Sequence, residues 1–103
     1  MSSIPQITPS ELRSRLDNGE KLYMIDVRED DEVAQGMIPG AKHIPMGEIP
    51  DRIQEIPADQ EVIFICRSGG RSQRVCDYLS QQGLDKLVNM QGGMLEWNAD
   101  DNE

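Results

Sequence analysis

One stretch constrains this chain more than any other: Val62-Ile63-Phe64-Ile65-Cys66-Arg67-Ser68-Gly69-Gly70-Arg71-Ser72. It begins with four β-branched or aromatic residues and no polar alternation. Such a run suits a short strand buried on both faces of a parallel sheet. The strand ends in a cysteine, and two arginines, two serines and two glycines follow. A helical pattern with Val75 and Leu79 on one face comes next. The strand therefore delivers a thiol into a tight loop that exits at a helix N-terminus. A helix N-terminus offers unpaired N–H groups and a partial positive charge of about half a unit. Gly69 and Gly70 let the backbone curl so that successive N–H groups point inward as an anion nest. Arg67 and Arg71 add full charges. A free cysteine ionises at about pH 8.5, and all three effects favour the thiolate. The expectation is a nucleophile that works without a neighbouring base, and the only histidine is His43.

The rest of the 103-residue sequence reads as a scaffold for that loop. Residues 1–6 form an entry arm, with Ile4 over the core edge. Thr8-Pro9-Ser10-Glu11 is a capping box with proline at the first helical position. Leu12 and Leu16 continue that helix, and Asn18-Gly19 stops it. The apolar run 22–27 predicts a strand, 32–35 a helical turn, 42–44 a short strand and 47–53 a short helix. The spacing predicts the central strand at 62–65, a helix over 72–82 ended by Gly83, and a last strand at 87–88. A turn at 91–93 leads into a short helix starting at Met94 to Trp97, where Trp97 packs on the core. This alternation places the chain in the α/β class: one domain over 1–103, with a central, mostly parallel sheet of about four to five short strands flanked by helices. The core is expected at about 4–97, with the acidic tail 98–103 frayed.

The net charge of −9 argues against nucleic acid and anionic membrane surfaces as partners. Arg67, Arg71 and Arg74 nevertheless cluster within eight positions at the glycine turn, which suggests a small-anion site. Two cysteines make no disulfide framework. The N-terminus shows no basic-then-apolar leader, and no run reaches the roughly 18 apolar residues of a membrane span. A reducing, cytoplasmic setting is the expectation, and there a lone cysteine in a special loop points to catalysis. Cys76, on the following helix, is either a resolving thiol or a small buried residue, and burial is the simpler reading. Asp26 and Arg28, at a strand end, are expected to pin neighbouring loops by hydrogen bonds. His43 has no second ligand candidate, so no metal site is expected.

Residues 66–72, Cys-Arg-Ser-Gly-Gly-Arg-Ser, resemble the active-site loop of the rhodanese family of sulfurtransferases. Three further stretches agree in order and spacing. Asp26-Val27-Arg28-Glu29 is similar to the family's D-V-R-E motif, and 36–41 (Gly-Met-Ile-Pro-Gly-Ala) to its G-H-I-P-G-A. Gly92-Gly93, with Trp97 four residues on, is similar to its closing G-G-x-x-x-W. Four motifs in order are a specific signal, and they span about residues 4 to 97. The resemblance implies an α/β fold and a two-step covalent mechanism. Cys66 takes a sulfur from a small anionic donor such as thiosulfate, holds it as a persulfide cradled by the N–H groups of 67–71, and passes it to a thiol, protein or cyanide acceptor. Arg67 and Arg71 are candidates to hold the donor's sulfonate end, though Arg71 could instead brace the loop through an acid. Ser68 and Ser72 are candidate hydroxyl donors, with helix capping the alternative for Ser72. No metal or organic cofactor is implied, and a monomer is expected.

The sequence departs from the family pattern at Met37, where histidine is usual, and at Val33, where an aromatic residue is common. Packing is the simpler reading of Met37. Two other functions compete. Phosphatases of related fold use a C-x5-R loop, whereas here arginine stands five positions after Cys66 and serine stands at 72, a tighter loop suited to one sulfur atom. A non-catalytic binding module or protein-to-protein sulfur carrier is the second alternative; an intact cysteine and glycine loop speak against a purely inert module.

Overall fold

Short apolar runs become strands, and the amphipathic stretches between them cover both sheet faces. The computed structural model describes residues 4–101. The elements in chain order are β1 (Gln6–Ile7), α1 (Pro9–Asp17), β2 (Tyr23–Asp26), α2 (Asp30–Val33), β3 (Lys42–His43), 3-10 turns at Met46–Glu48 and Pro50–Glu55, β4 (Val62–Ile65), α3 (Gly70–Gln81), β5 (Leu87–Met90) and α4 (Gly93–Asp101). All five strands are parallel, in the order β1-β5-β4-β2-β3. The single α/β domain with a central parallel sheet expected from the sequence is thus what forms, with the strand 62–65 at the sheet's centre.

Strand side chains alternate between two apolar layers. Ile25, Val27, Val62, Phe64, Cys66 and Leu87 pack with Val75, Cys76 and Leu79 of α3. Met24, Ile63, Ile65, Val88 and Met90 face the opposite way, with Leu12 of α1 and Met94 and Trp97 of α4. The chain leaves β2 outward to β3, then returns to β4 and leaves on the other side to β5. The strand order reverses between β2 and β4, and open α/β sheets place their sites at such a reversal, beyond the strands' C-terminal ends. Asp26, Arg28 and Cys66 lie at those two ends.

Local differences from the sequence expectations have physical causes. β1 was not anticipated, because two residues carry no periodicity; backbone pairing with β5 makes it an edge strand. Ile4 does pack on the core, while residues 1–3 of the expected arm lie outside the described ones. The 47–53 helix is instead two 3-10 pieces, since Pro50 lacks an N–H and Arg52 leaves helical geometry. The turn expected at 32–35 sits at 30–33. α3 begins at Gly70, two residues before Ser72, because Gly69 adopts φ +99° as the N-cap. A serine cap at 72 is therefore excluded. α4 runs through Asp101, further than a tail frayed from residue 98 allows. Arg13 holds this helix: its Nη2 donates to the Trp97 carbonyl at 3.0 Å, and its guanidinium lies 3.8 Å from the Trp97 ring centroid. Residues 102 and 103 lie outside the described residues. Among the described residues, no helix is long and apolar enough to cross a membrane.

Candidate active site

Cys66 follows directly on β4, and the loop after it folds back over the sulfur. The Gly69 N–H donates to Sγ at 3.0 Å and the Ser72 hydroxyl lies 3.3 Å away. Burial pushes the thiol's pKa up, but hydrogen bonds outweigh it. The Ser72 hydroxyl and the N–H groups of Ser72, Gly69 and Ser68 together bring it below the ordinary value. The cradle thus involves 68, 69 and 72 and reaches one residue past the expected 67–71. Sγ also faces the first turn of α3, so the helix dipole acts in the same direction. Cys66 is fully buried, whereas Arg67 and Ser68 on the loop's crest are exposed.

The inward N–H groups require the loop carbonyls to face away, and α4 supplies their partners. Met94 N–H donates to the Cys66 carbonyl at 2.8 Å and Leu95 N–H to the Arg67 carbonyl at 3.0 Å. The first N–H groups of a helix need such acceptors. Gly93 (φ +59°) brings α4 close enough; a Cβ there would overlap both carbonyls.

The two arginines divide. Arg71 forms a bidentate pair with Glu32, both N–O distances 2.7 Å, which ties the loop to α2. Of the two roles open to it, bracing is the one that this geometry supports. Arg67 stands at the wall of a cleft of about 400 Å³, with Glu32, Gln35, Leu95 and Asn98 also lining it. Arg74, the third basic residue, lies apart, beside a small apolar hollow with Met46 and Tyr78. Asp26 and Arg28 are buried and paired, Nη2 to Oδ2 at 2.9 Å. Arg28 also donates to the carbonyls of Gly36, at 2.8 Å, and Glu32. Through these bonds the pair pins the α2–β3 connection. His43 Nε2 donates to the Arg28 carbonyl at 2.7 Å. Met37 lines a second cleft of about 340 Å³ beside Trp97 and Arg13, so it is a rim residue rather than core packing. Cys76 is buried under α3, and burial above all, with the charges of Asp77 and Cys66, pushes its thiol up to about 12. Full burial under α3 and a raised thiol support packing as its role.

Glu32 makes the brace pH-dependent. The Arg71 hydrogen bonds, then the Glu29 N–H, hold its carboxyl at about 2 instead of 4.5. A depressed carboxylate stabilises the fold above its unfolded pKa and loses that contribution as pH falls through the folded one. Wild type is expected to melt above Glu32→Gln at neutral pH, with the gap narrowing between pH 4.5 and about 2. Thermal melts of both proteins across that range check it; a gap that does not change with pH contradicts it.

Sequence reading missed three contributors: Glu32, the N–H groups of 94 and 95, and Asn89. Asn89 interrupts the apolar run 87–90 on the same strand face as Leu87, and it is 3% exposed. A buried amide there is the one signal that could have flagged it.

Comparison with known proteins agrees with this geometry. The sequence profile of the Rhodanese-like domain family matches residues 8–100. The Bacillus subtilis protein YtwF is 50% identical over 97 residues, 94% of this chain and 93% of that one. A sulfurtransferase of Allochromatium vinosum is 44% identical over 94 residues, 91% of this chain and 88% of that one. The crystal structure of a rhodanese-like domain protein from Staphylococcus aureus superposes with a TM-score of 0.86 at 39% identity and covers 91% of each chain. With its buried cysteine at the end of the central strand and a family match over nearly its whole length, this chain belongs to the rhodanese-like domain family.

Proposed function

We propose that the protein is a sulfurtransferase that carries a sulfane sulfur on Cys66, from a donor such as thiosulfate to a thiol or cyanide acceptor. The observation that carries this reading is a sulfur ringed by N–H and hydroxyl donors, with the Gly69 N–H at 3.0 Å. Such a ring stabilises an anion at the sulfur. The A. vinosum relative, itself named a sulfurtransferase, supports the same class.

In the first step the Cys66 thiolate attacks the outer sulfur of thiosulfate. An S–S bond forms, the bond to the sulfonate sulfur breaks, and sulfite leaves with the electron pair. Cys66 then holds a persulfide whose negative charge sits on the terminal sulfur. In the second step a thiolate or cyanide attacks that terminal sulfur, and Cys66 leaves as thiolate. Arg67, exposed at the cleft wall, anchors the sulfonate end. Arg71 is committed to Glu32 and holds the loop. That commitment also weakens the phosphatase alternative, which needs a loop arginine on the oxyanion.

Thiocyanate formation from thiosulfate and cyanide tests the reading, with 3-mercaptopyruvate compared as donor. Arg67→Ala is expected to raise KM for thiosulfate about tenfold, with a smaller change in kcat. No thiocyanate from any sulfane donor contradicts the proposal; a pure kcat loss in Arg67→Ala contradicts the anchoring role.

A further inference from the structure

Behind the sulfur, a buried hydrogen-bond chain runs from Cys66 through Ser72 to Asn89 and on to Gln6 at the sheet edge. The Ser72 hydroxyl has one hydrogen and three acceptors within reach: Cys66 Sγ at 3.3 Å, the Gly69 carbonyl at 3.3 Å and Asn89 Oδ1 at 2.5 Å. The orientation of the Asn89 amide is fixed independently. Its Nδ2 lies 2.8 Å from Gln6 Oε1 and 3.3 Å from the Gly69 carbonyl, and a carbonyl can only accept. Oδ1 therefore faces Ser72 and can only accept as well. Ser72 cannot satisfy both Oδ1 and an anionic sulfur at once.

We propose that Asn89 is a positioning residue that competes with Cys66 for the Ser72 proton, making Ser72 a two-position switch behind the nucleophile. With Cys66 as a thiol, S–H donates to Ser72 Oγ and Ser72 O–H donates to Asn89 Oδ1. When the thiol proton leaves to solvent, the hydroxyl turns toward the sulfur and Oδ1 loses its hydrogen. When the thiolate takes up a sulfur atom, Sγ becomes a neutral divalent atom, and the hydroxyl returns to Asn89. Asn89 thus favours the states in which Sγ is uncharged, the thiol and the loaded persulfide, over the empty thiolate. The other titratable groups coupled to the sulfur are Arg71, with Glu32 and Glu29 facing it, and Cys76 on α3; substituting Asn89 changes the charge of none of them. The buried Asp26–Arg28 pair at the end of β2 completes the charged surroundings.

This inference rests on Cys66 being the nucleophile proposed above, but its test needs no sulfur transfer. The pH dependence of Cys66 alkylation by iodoacetamide is measured for wild type, Asn89→Ala, Ser72→Ala and the double variant. Asn89→Ala is expected to lower the apparent Cys66 pKa, giving about threefold to tenfold more thiolate at a fixed acidic pH. In the Ser72→Ala background the same substitution is expected to shift nothing. Asn89→Asp, a stronger acceptor of similar shape, is expected to shift the profile upward, and less so without Ser72. An unchanged or raised pKa in Asn89→Ala overturns the switch, as does an equal shift with and without Ser72, since a merely structural asparagine acts independently of that hydroxyl. Failure of persulfide formation would sink the proposed function while leaving these profiles readable.

Discussion

Replacing Cys66 with serine is expected to abolish sulfur transfer and leave the fold intact. Oxygen is smaller than sulfur, so the change creates no clash in the loop. An alcohol, however, ionises far above a thiol, and activating it takes an adjacent base. The loop supplies hydrogen-bond donors to an anion, not a proton acceptor. The single histidine is engaged with the Arg28 carbonyl at the end of a different strand. Nothing therefore converts the serine hydroxyl into a nucleophile. The expected loss in kcat is at least about a thousandfold, as for removal of other covalent nucleophiles. Thiocyanate formation and circular dichroism on the same sample check it. Substantial turnover by a well-folded Cys66→Ser protein would remove the nucleophile from the account.

The second large effect is expected at a residue with no side chain. Gly93→Ala places a Cβ against the Arg67 carbonyl oxygen and 2.6 Å from the Cys66 one. Those are backbone atoms of the Cys66 loop, so they cannot rotate aside. The residue also has φ +59°, a conformation that side chains disfavour. Overpacking and backbone strain together predict a loss of about 2–5 kcal/mol. Activity should fall further than stability alone explains, because pushing α4 away frees the carbonyls that hold the loop's N–H groups on the sulfur. Gly92→Ala is a useful contrast: it shares the strain of a positive φ (+78°), but the atoms nearest its Cβ belong to the Glu96 side chain, which is exposed and can swing away. Denaturant unfolding combined with kcat measured on the folded fraction separates the two effects. A Gly93→Ala protein with wild-type stability and turnover would show that α4 does not position the loop.

These two positions illustrate what the sequence made legible. Cys66 could be read because its neighbours in sequence are also its neighbours in space: strand, glycine turn and helix start are contiguous. The capping box at Thr8 and Glu11 was readable for the same reason, and both of its hydrogen bonds form. What escaped was contact between distant segments. Glu32 meets Arg71 across 39 positions, and Asn89 meets Ser72 across 17. No local pattern encodes such pairs. The role of Gly93 was hidden as well: a glycine pair reads as a turn, whereas its effect is to let α4 approach residues 66 and 67. The start of α3 was misplaced because serine is the better cap by preference, while the left-handed turn at Gly69 was decided by the loop's closure over the sulfur.

The central claim is that Cys66, and no other residue, carries the transferred sulfur. Intact-mass measurement after incubation with thiosulfate, under non-reducing conditions, tests it most directly. The expected result is a gain of about 32 Da, one sulfur atom, that is lost on adding cyanide and maps to Cys66. The same treatment of Cys66→Ser should leave the mass unchanged, and Cys76, buried with its thiol held at about 12, should stay unmodified. An unchanged wild-type mass, or sulfur found on Cys76, would contradict the account.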